Sequence, residues 1–328
     1  MTADLDVVFI IPVVTVNDMV RRGCHALQQL SQHTWQALVI TNDPEPSPVD
    51  DPRVRVIASG RVGPADKRDL AARATNAGWL VFLDDDSYPQ QDFLDALSLA
   101  VHTSSAAYGG PGVTPPDAGF MERVSGAVYS ARLLGGNPAR YVPFGPPRRV
   151  RDWPSVNLTI RRDAFLAVGG FGSPFWPGDD TFLCDKLTAA NHVIEYRPEL
   201  VVFHNRRPTL AGHLQQVGRY GLHRGYFARA FGASSRRVQY FVPTALVLTF
   251  ALACLAAALG WLPWPAVGLL VMVYGCALLL GILELRRSGH PPAVCAAALP
   301  VALLTHGWYG VRFLQGLLTP GTLSSRLR

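Results

Sequence analysis

The sequence predicts an α/β domain on a mainly parallel sheet, joined through a basic helical segment to two or three membrane-crossing helices. Three observations predict it. Short β-rich runs alternate with helical patterns through the first 210 residues, as in strands that cross over through helices. Residues 240–318 are almost free of charge, with apolar stretches long enough to cross ~30 Å of hydrocarbon. One apolar run, WLVFL at 79–83, ends directly in Asp84, Asp85 and Asp86.

Taken in order, VVFIIPVV at 7–14 reads as a buried strand, and Asn17 or Asp18 can cap the helix that follows. WQALVIT at 35–41, a polar turn, RVRVIA at 53–58, a helix over 65–77 and the strand 79–83 continue the pattern. In such sheets ligands bind beyond the carboxyl ends of the strands. Thr15, Asn42, Asp43 and the three aspartates all lie at such ends. Residues 105–150, rich in Gly, Pro and Arg with one helical patch at 120–134, read as a substrate-facing segment. VNLTI at 156–160 is a strand, RRDAFLAVGGF a short helix capped by Asp163 and stopped by Gly169–Gly170, and DDTFLCDKLTAA a helix. VIEYRPELVVFH at 193–204 reads as strand-like.

Residues 211–239 are basic and aromatic at helical spacing, which suits a helix at a membrane surface. Spans follow at about 240–262 and 263–285. Arg236–Arg237 and Arg286–Arg287 flank this hairpin, and its turn carries no charge, so the positive-inside rule places both basic ends and the N-terminal domain in the cytoplasm. A third segment, about 292–314, is interrupted by Pro300, His306 and Arg312. It is read as crossing, which leaves Arg326 and Arg328 outside; a re-entrant path buried against protein is the alternative. The division expected is a catalytic domain at 1–210, an interfacial segment at 211–239, a membrane region at 240–318 and a tail at 319–328.

The chain has 328 residues, 49% hydrophobic and 16% charged, with a net charge of +6. A basic excess beside apolar spans suits an anionic membrane face or phosphate-bearing ligands, and without a basic run interleaved with aromatics outside 205–240 nucleic acid is not expected. Five unpaired-looking cysteines indicate neither a disulfide framework nor a zinc site, and Met1–Asp6 is too acidic to open a signal peptide.

Adjacent carboxylates about 5 Å apart repel by roughly 3 kcal/mol at an effective dielectric of ~20. A bound cation would offset that. FIIPVVTVND, KRDLAARATNAGWLVFLDDDSYP, NLTIRRDAFLAVGGFGSPFWPGDDTFLCDKL and GHLQQVGRYG occur in this order over most of residues 7–225. Together they resemble a membrane-attached family 2 glycosyltransferase of the GT-A fold, of the kind that builds bacterial exopolysaccharides and glycolipids.

The resemblance implies an Asp-x-Asp-like motif holding Mn²⁺ or Mg²⁺ on the diphosphate of a nucleotide sugar, where hard oxygen ligands suit the ion. Asp86 is the expected metal ligand and Asp84 serves the ribose or the metal, with Asp85 the competing choice. Asp179–Asp180 stands where the family shows an acidic pair. Asp180 is expected to be the general base of an inverting transfer, and Asp179 to cap the helix or orient the acceptor. Gln216-Val-Gly-Arg219-Tyr220 matches the family's Gln-x-x-Arg-Trp with Tyr for Trp, so Arg219 is expected at the pyrophosphate. Lys67 and Arg68 match a basic position near the nucleotide, Asn42 or Asp43 could read the base, and His204, Arg206, Arg207 and Arg224 are further candidates for phosphate. The expected partners are a UDP- or GDP-linked sugar, a lipid- or polyprenyl-linked acceptor, membrane lipids and a possible second copy of the chain, at the inner membrane. The alternatives are a processive polysaccharide synthase, for which two or three spans leave little room to enclose a channel, and a non-catalytic adaptor, which would tend to lose the acidic set. A transporter is disfavoured because Glu284, near a span end, is the sole acidic residue in the spans.

Overall fold

The computed structural model describes residues 5–30, 34–231, 234–321 and 323. Arg326 and Arg328 lie outside the described residues. In chain order the elements are β1 (Asp6–Pro12), α1 (Asp18–Leu27), β2 (Thr34–Thr41), β3 (Val54–Ala58), α2 (Pro64–Arg73), β4 (Trp79–Phe82), β5 (Ser87–Pro89), α3 (Phe93–Ala100), β6 (Ala107–Gly109) and β7 (Gly112–Val113). Then come α4 (Phe120–Ser130), α5 (Arg132–Gly135), β8 (Arg148–Val150), β9 (Leu158–Arg161), α6 (Arg162–Ala167), α7 (Asp179–Ala189), β10 (Ile194–Tyr196) and β11 (Val202–His204). Four long helices finish the chain: α8 (Leu210–Ala230), α9 (Val238–Ala258), α10 (Trp264–Arg287) and α11 (Pro292–Leu318).

The chain divides into two compact units. One holds residues up to Pro115 together with Ala139–Asn205, and the other holds Pro116–Pro138 with Arg206–Leu323. In the first unit a large sheet runs in the order β3-β2-β1-β4-β9-β6-β10-β8. β3, β2, β1 and β4 are mutually parallel, and β9 is antiparallel to both β4 and β6. A small sheet, β5-β11-β7, stands apart from it. The central strands are apolar on both faces because helices cover both. Phe9, Val39 and Val81 enter one core cluster, and Ile10, Ile40 and Phe82 enter the other.

Local chemistry sets the element ends. Asn17 caps α1 by accepting from the Val20 N–H at 3.0 Å. Gly169 and Gly170 stop α6 with φ of +76° and +65°. Three local readings are corrected. Asp163 lies inside the first turn of α6 and Arg161 occupies the cap position, the Asp163 carboxylate instead accepting from the Arg161 guanidinium at 2.6 Å. The helical patch at 120–134 breaks at Ala131, whose extended backbone (φ −88°, ψ 137°) separates α4 from α5. The strand-like stretch 193–204 is two strands in different sheets, because its middle turns over through an Arg197–Leu200 hydrogen bond.

In the second unit, α4 and α5 join α10 and α11 in one apolar cluster. α9, α10 and α11 are each long and apolar enough to cross a membrane.

Candidate active site

Three aspartates stand at one strand end, and the fold supplies each with its own neighbour. Arg68, on the buried face of α2, reaches Asp84 through Nη2 and Asp179 through Nη1, both at 2.7 Å. Lys67, its neighbour, exerts its electrostatic pull on Asp85. His204, at the end of β11, sets Nε2 3.2 Å from Asp86 Oδ1. Consecutive helix residues point ~100° apart, so Lys67 and Arg68 serve different acidic groups from one turn. Ser87 closes the turn after β4, its Oγ accepting from the Asp84 N–H and donating to the Asp84 carbonyl, both at 2.9 Å. Asn205 donates its backbone and side-chain N–H groups to the Asp86 carbonyl, each at 2.9 Å. The end of β11 is thereby tied to the acidic turn.

Asp84, Asp86 and His204 offer ligand atoms that all lie within 4.8 Å of one another. Two carboxylates and an imidazole suit a divalent ion that accepts oxygen and nitrogen donors, such as Mn²⁺. His204, expected at a phosphate, lies with two carboxylates in a group that could hold a cation.

Lys67 is buried and donates to the Val13 carbonyl and to Asn42 Oδ1, the latter at 2.7 Å. It bridges the ends of β1 and β2 from below. Desolvation lowers its pKa and the Asp85 charge opposes that. Thr15 and Asp43 are exposed at the same strand ends.

The acidic pair opens α7. Gly178, at φ +112°, holds the cap position without a side-chain bond. Asp179 is therefore no cap: it is buried, 4% exposed, against Arg68. Burial pushes its carboxyl up to about 7, the Arg68 charge pulls it down, and Asp180 and Asp84 push it up again. Desolvation also raises Asp84, with Arg68 opposing and Asp86 adding, and water at its 36% accessible side chain tempers that rise. Asp180 is half-buried and accepts from the Thr181 N–H at 2.7 Å.

Asp69 was not anticipated. Its carboxylate accepts from the Phe171 N–H at 2.7 Å and the Gly172 N–H at 3.0 Å, while Lys186 donates to the Gly170 and Phe171 carbonyls. The loop leading to α7 is thus clamped from α2 and α7 together. The Gly169–Gly170 pair signals the turn in sequence, but its partners lie about 100 residues away or on the next helix.

The remaining candidates belong to the second unit. Gln216, Arg219 and Tyr220 lie on α8, where the Arg219 carbonyl accepts from His223 Nδ1 at 3.0 Å and Tyr220 is exposed. Arg206 lies 6.0 Å from the Tyr129 ring centroid. Arg207 precedes α8 and packs beside Gly212. Arg224 covers the Tyr240 ring at 4.5 Å and donates to Ser235 Oγ at 3.2 Å, which engages it in the elbow between α8 and α9.

The parallel strands ending in an acidic turn, the antiparallel β9 and the small second sheet define a GT-A nucleotide-sugar transferase fold. Residues 79–285 match the model of glycosyl transferase family group 2, and the chain belongs to that family. Over 161 residues, 48% of this chain, it is 29% identical to the pre-mycofactocin glycosyltransferase of Mycobacterium tuberculosis, in both the CDC 1551 / Oshkosh and the H37Rv strains. The match spans 33% of the length of those relatives. Among solved structures, the mannosyltransferase PcManGT from Pyrobaculum calidifontis, in complex with GDP-Man and Mn²⁺, superposes with a TM-score of 0.60 at 16% identity, covering 94% of this chain and 88% of that one.

Proposed function

We propose that this glycosyltransferase moves a sugar, with inversion, from a UDP- or GDP-linked donor to a lipid-linked acceptor at the cytoplasmic face of the inner membrane. One observation carries the chemistry: Arg68 joins the cation-binding acidic turn to the acidic pair of α7 through two 2.7 Å ion pairs. Donor and base are thereby referred to one rigid side chain.

Asp84, Asp86 and His204 would hold the divalent ion, which supplies charge neutralisation for the departing nucleoside diphosphate. Asp180 is the half-exposed member of its pair and accepts the proton of the acceptor hydroxyl as that oxygen bonds to the anomeric carbon. The helix N-terminus favours its ionised form. Asp179 and Arg68 position the start of α7. Lys67 fixes Asn42 beside the exposed Thr15 and Asp43, where the nucleoside would lie. Arg219, on the basic helix α8, is the proposed pyrophosphate ligand and Tyr220 the acceptor-side aromatic. The apolar helices support the lipid acceptor, and the bound GDP-Man and Mn²⁺ of the archaeal neighbour support the donor class and the ion. A second reading takes pre-mycofactocin, or a compound like it, as acceptor, favoured by the 29% identity to the mycobacterial enzymes.

The test is a donor screen on purified full-length protein in lipid vesicles, with and without Mn²⁺ or Mg²⁺. One nucleotide sugar should be consumed only with metal, and a polyprenyl-linked acceptor should outcompete pre-mycofactocin. Asp180→Asn should bind that donor with near-unchanged affinity and lose at least ~10³ in turnover, the upper part of the general-base range. A near-normal rate in that variant would remove Asp180 from the base role.

A further inference from the structure

The helix α11 is 27 residues long, about 40 Å, and apolar enough to cross a bilayer. Its packing is unlike that of α9 and α10. Of its most apolar stretch 39% is buried in protein, against 11% and 17% for the other two. Where each part of α11 meets the α9–α10 hairpin is decisive.

The beginning of α11, at Val294 and Cys295, shares a cluster with Leu285 of α10, next to Arg286–Arg287. The middle is fixed by His306. Its Nε2 donates to the Leu134 carbonyl at 2.9 Å, so its Nδ1 must accept from the Tyr274 hydroxyl at 2.8 Å. Leu134 belongs to the short helix α5, which lies at the same end of α10: its side chain packs on Gly281, and the Arg132 N–H of α5 donates to Glu284 at 3.1 Å. The last part of α11 meets the first turns of α9. Phe313 stacks edge-on to Phe241 at 4.8 Å, and Thr244 donates to the Gly310 carbonyl at 3.0 Å, near Arg236–Arg237. The beginning and the end of α11 thus sit at the basic ends of the hairpin, and its middle, through His306, reaches Tyr274 halfway along α10. The cluster at its far end, Ala253, Ala257 and Val267, contains no described residue of α11.

The partner of α11 gives a second argument. α8 runs parallel to it in close register, with His213 bonded to Thr305 and Gly225 against Phe313 and Leu317. The backbones touch: a Cβ on Gly225 would fall 2.0 Å from the Phe313 carbonyl oxygen, and one on Gly316 1.9 Å from that of Leu222. A crossing α11 would draw Arg219 and Arg224 of α8 into hydrocarbon with it, along with the irregular backbone that ends α5 at Gly136, φ +78°. Both are strongly disfavoured there.

We propose that α11 is not a third span but an interfacial helix, seated on the surface of an anionic phospholipid bilayer and ending on the side where α8 lies. Leu304, Trp308, Val311 and Leu318 recur at four- and three-residue helical spacing, all exposed on one face, and this stripe meets the acyl boundary. Gln315, exposed within that stripe and bonded to Arg312, belongs among the headgroups. The arginines of α8 and of the hairpin ends supply the charge complement. The proposal holds whether or not the site above transfers a sugar.

The test uses the full-length chain in sealed vesicles of phosphatidylglycerol and phosphatidylethanolamine. One epitope is inserted at a time, at Gly260 in the hairpin turn, at Gly289 before α11, or after Arg328. The Gly289 and C-terminal epitopes should be cleaved by protease from the same side, and the Gly260 epitope from the opposite side. A C-terminal epitope on the Gly260 side overturns the proposal. A photo-crosslinking side chain in place of Val311 should capture phospholipid; if it forms no lipid adduct, the bilayer is not what covers the stripe.

Discussion

Arg68 shows how much of this site rests on one side chain. It is 3% exposed and holds two carboxylates from elements far apart in sequence. Removing one partner of a buried pair typically costs about 3 kcal/mol or more, because the remaining charges are left uncompensated. Arg68→Met should therefore lower the melting temperature by several degrees and reduce turnover at least ~10-fold, measured by thermal unfolding and a fixed-donor assay. Arg68→Lys should recover stability only in part, since an ammonium cannot present two parallel donors to Asp84 and Asp179. An unchanged melting temperature in Arg68→Met would show that the two ion pairs add nothing to the fold.

At the scale of elements, the clearest constraint lies where β6 leads into β7. A Cβ on Gly110 would fall 1.7 Å from the Leu200 carbonyl oxygen, and one on Gly109 2.2 Å from the Trp153 ring. Backbone is what Gly110 meets, so no rotamer change can relieve the clash. Gly110→Ala should destabilise the first unit by about 3 kcal/mol or more, at the severe end of overpacking. Denaturant unfolding of the full chain followed by tryptophan fluorescence measures it, because Trp153 donates to the Gly110 carbonyl at 2.9 Å and reports the same joint. Wild-type-like unfolding would mean that the β6–β7 joint can open without cost.

Across the whole molecule, each unit contributes a pH dependence, and His213 carries that of the second. His213 of α8 is fully buried between Ser125 of α4 and Thr305 of α11, each at 2.8 Å. Desolvation lowers its pKa from 6.5 to about 4. A depressed folded-state value means that the neutral ring stabilises the protein above about 6.5, and that this is lost as pH falls from there towards 4. The loss approaches about 3 kcal/mol, at 1.36 kcal/mol for each tenfold change in proton affinity. Between pH 7.5 and 4.5 His213→Gln, which can still bond both hydroxyls, should gain melting temperature relative to the parent as the pH falls, even if it lowers the plateau. Asp179, pushed the other way, works against the trend, so the difference between variant and parent is the reading that counts. Equal slopes would place the pH sensitivity elsewhere.

Taken by itself, the sequence determined the α/β class, the acidic turn after β4, the acidic pair that opens α7 and the apolar helices. Each is written in contiguous residues with a period or a composition of its own. The order and resemblance of four motifs carried the reading as far as a family. Only the tertiary structure decided that Arg68 bridges two acidic sites, that His204 stands with Asp84 and Asp86, that Asp179 faces an arginine rather than capping its helix, and that residues 193–204 divide between two sheets. Those facts join residues up to 120 positions apart, and periodicity carries no record of long-range pairing. The same holds for α11: its composition is that of a span, while the helices pressed against it place both its ends at one end of the α9–α10 hairpin.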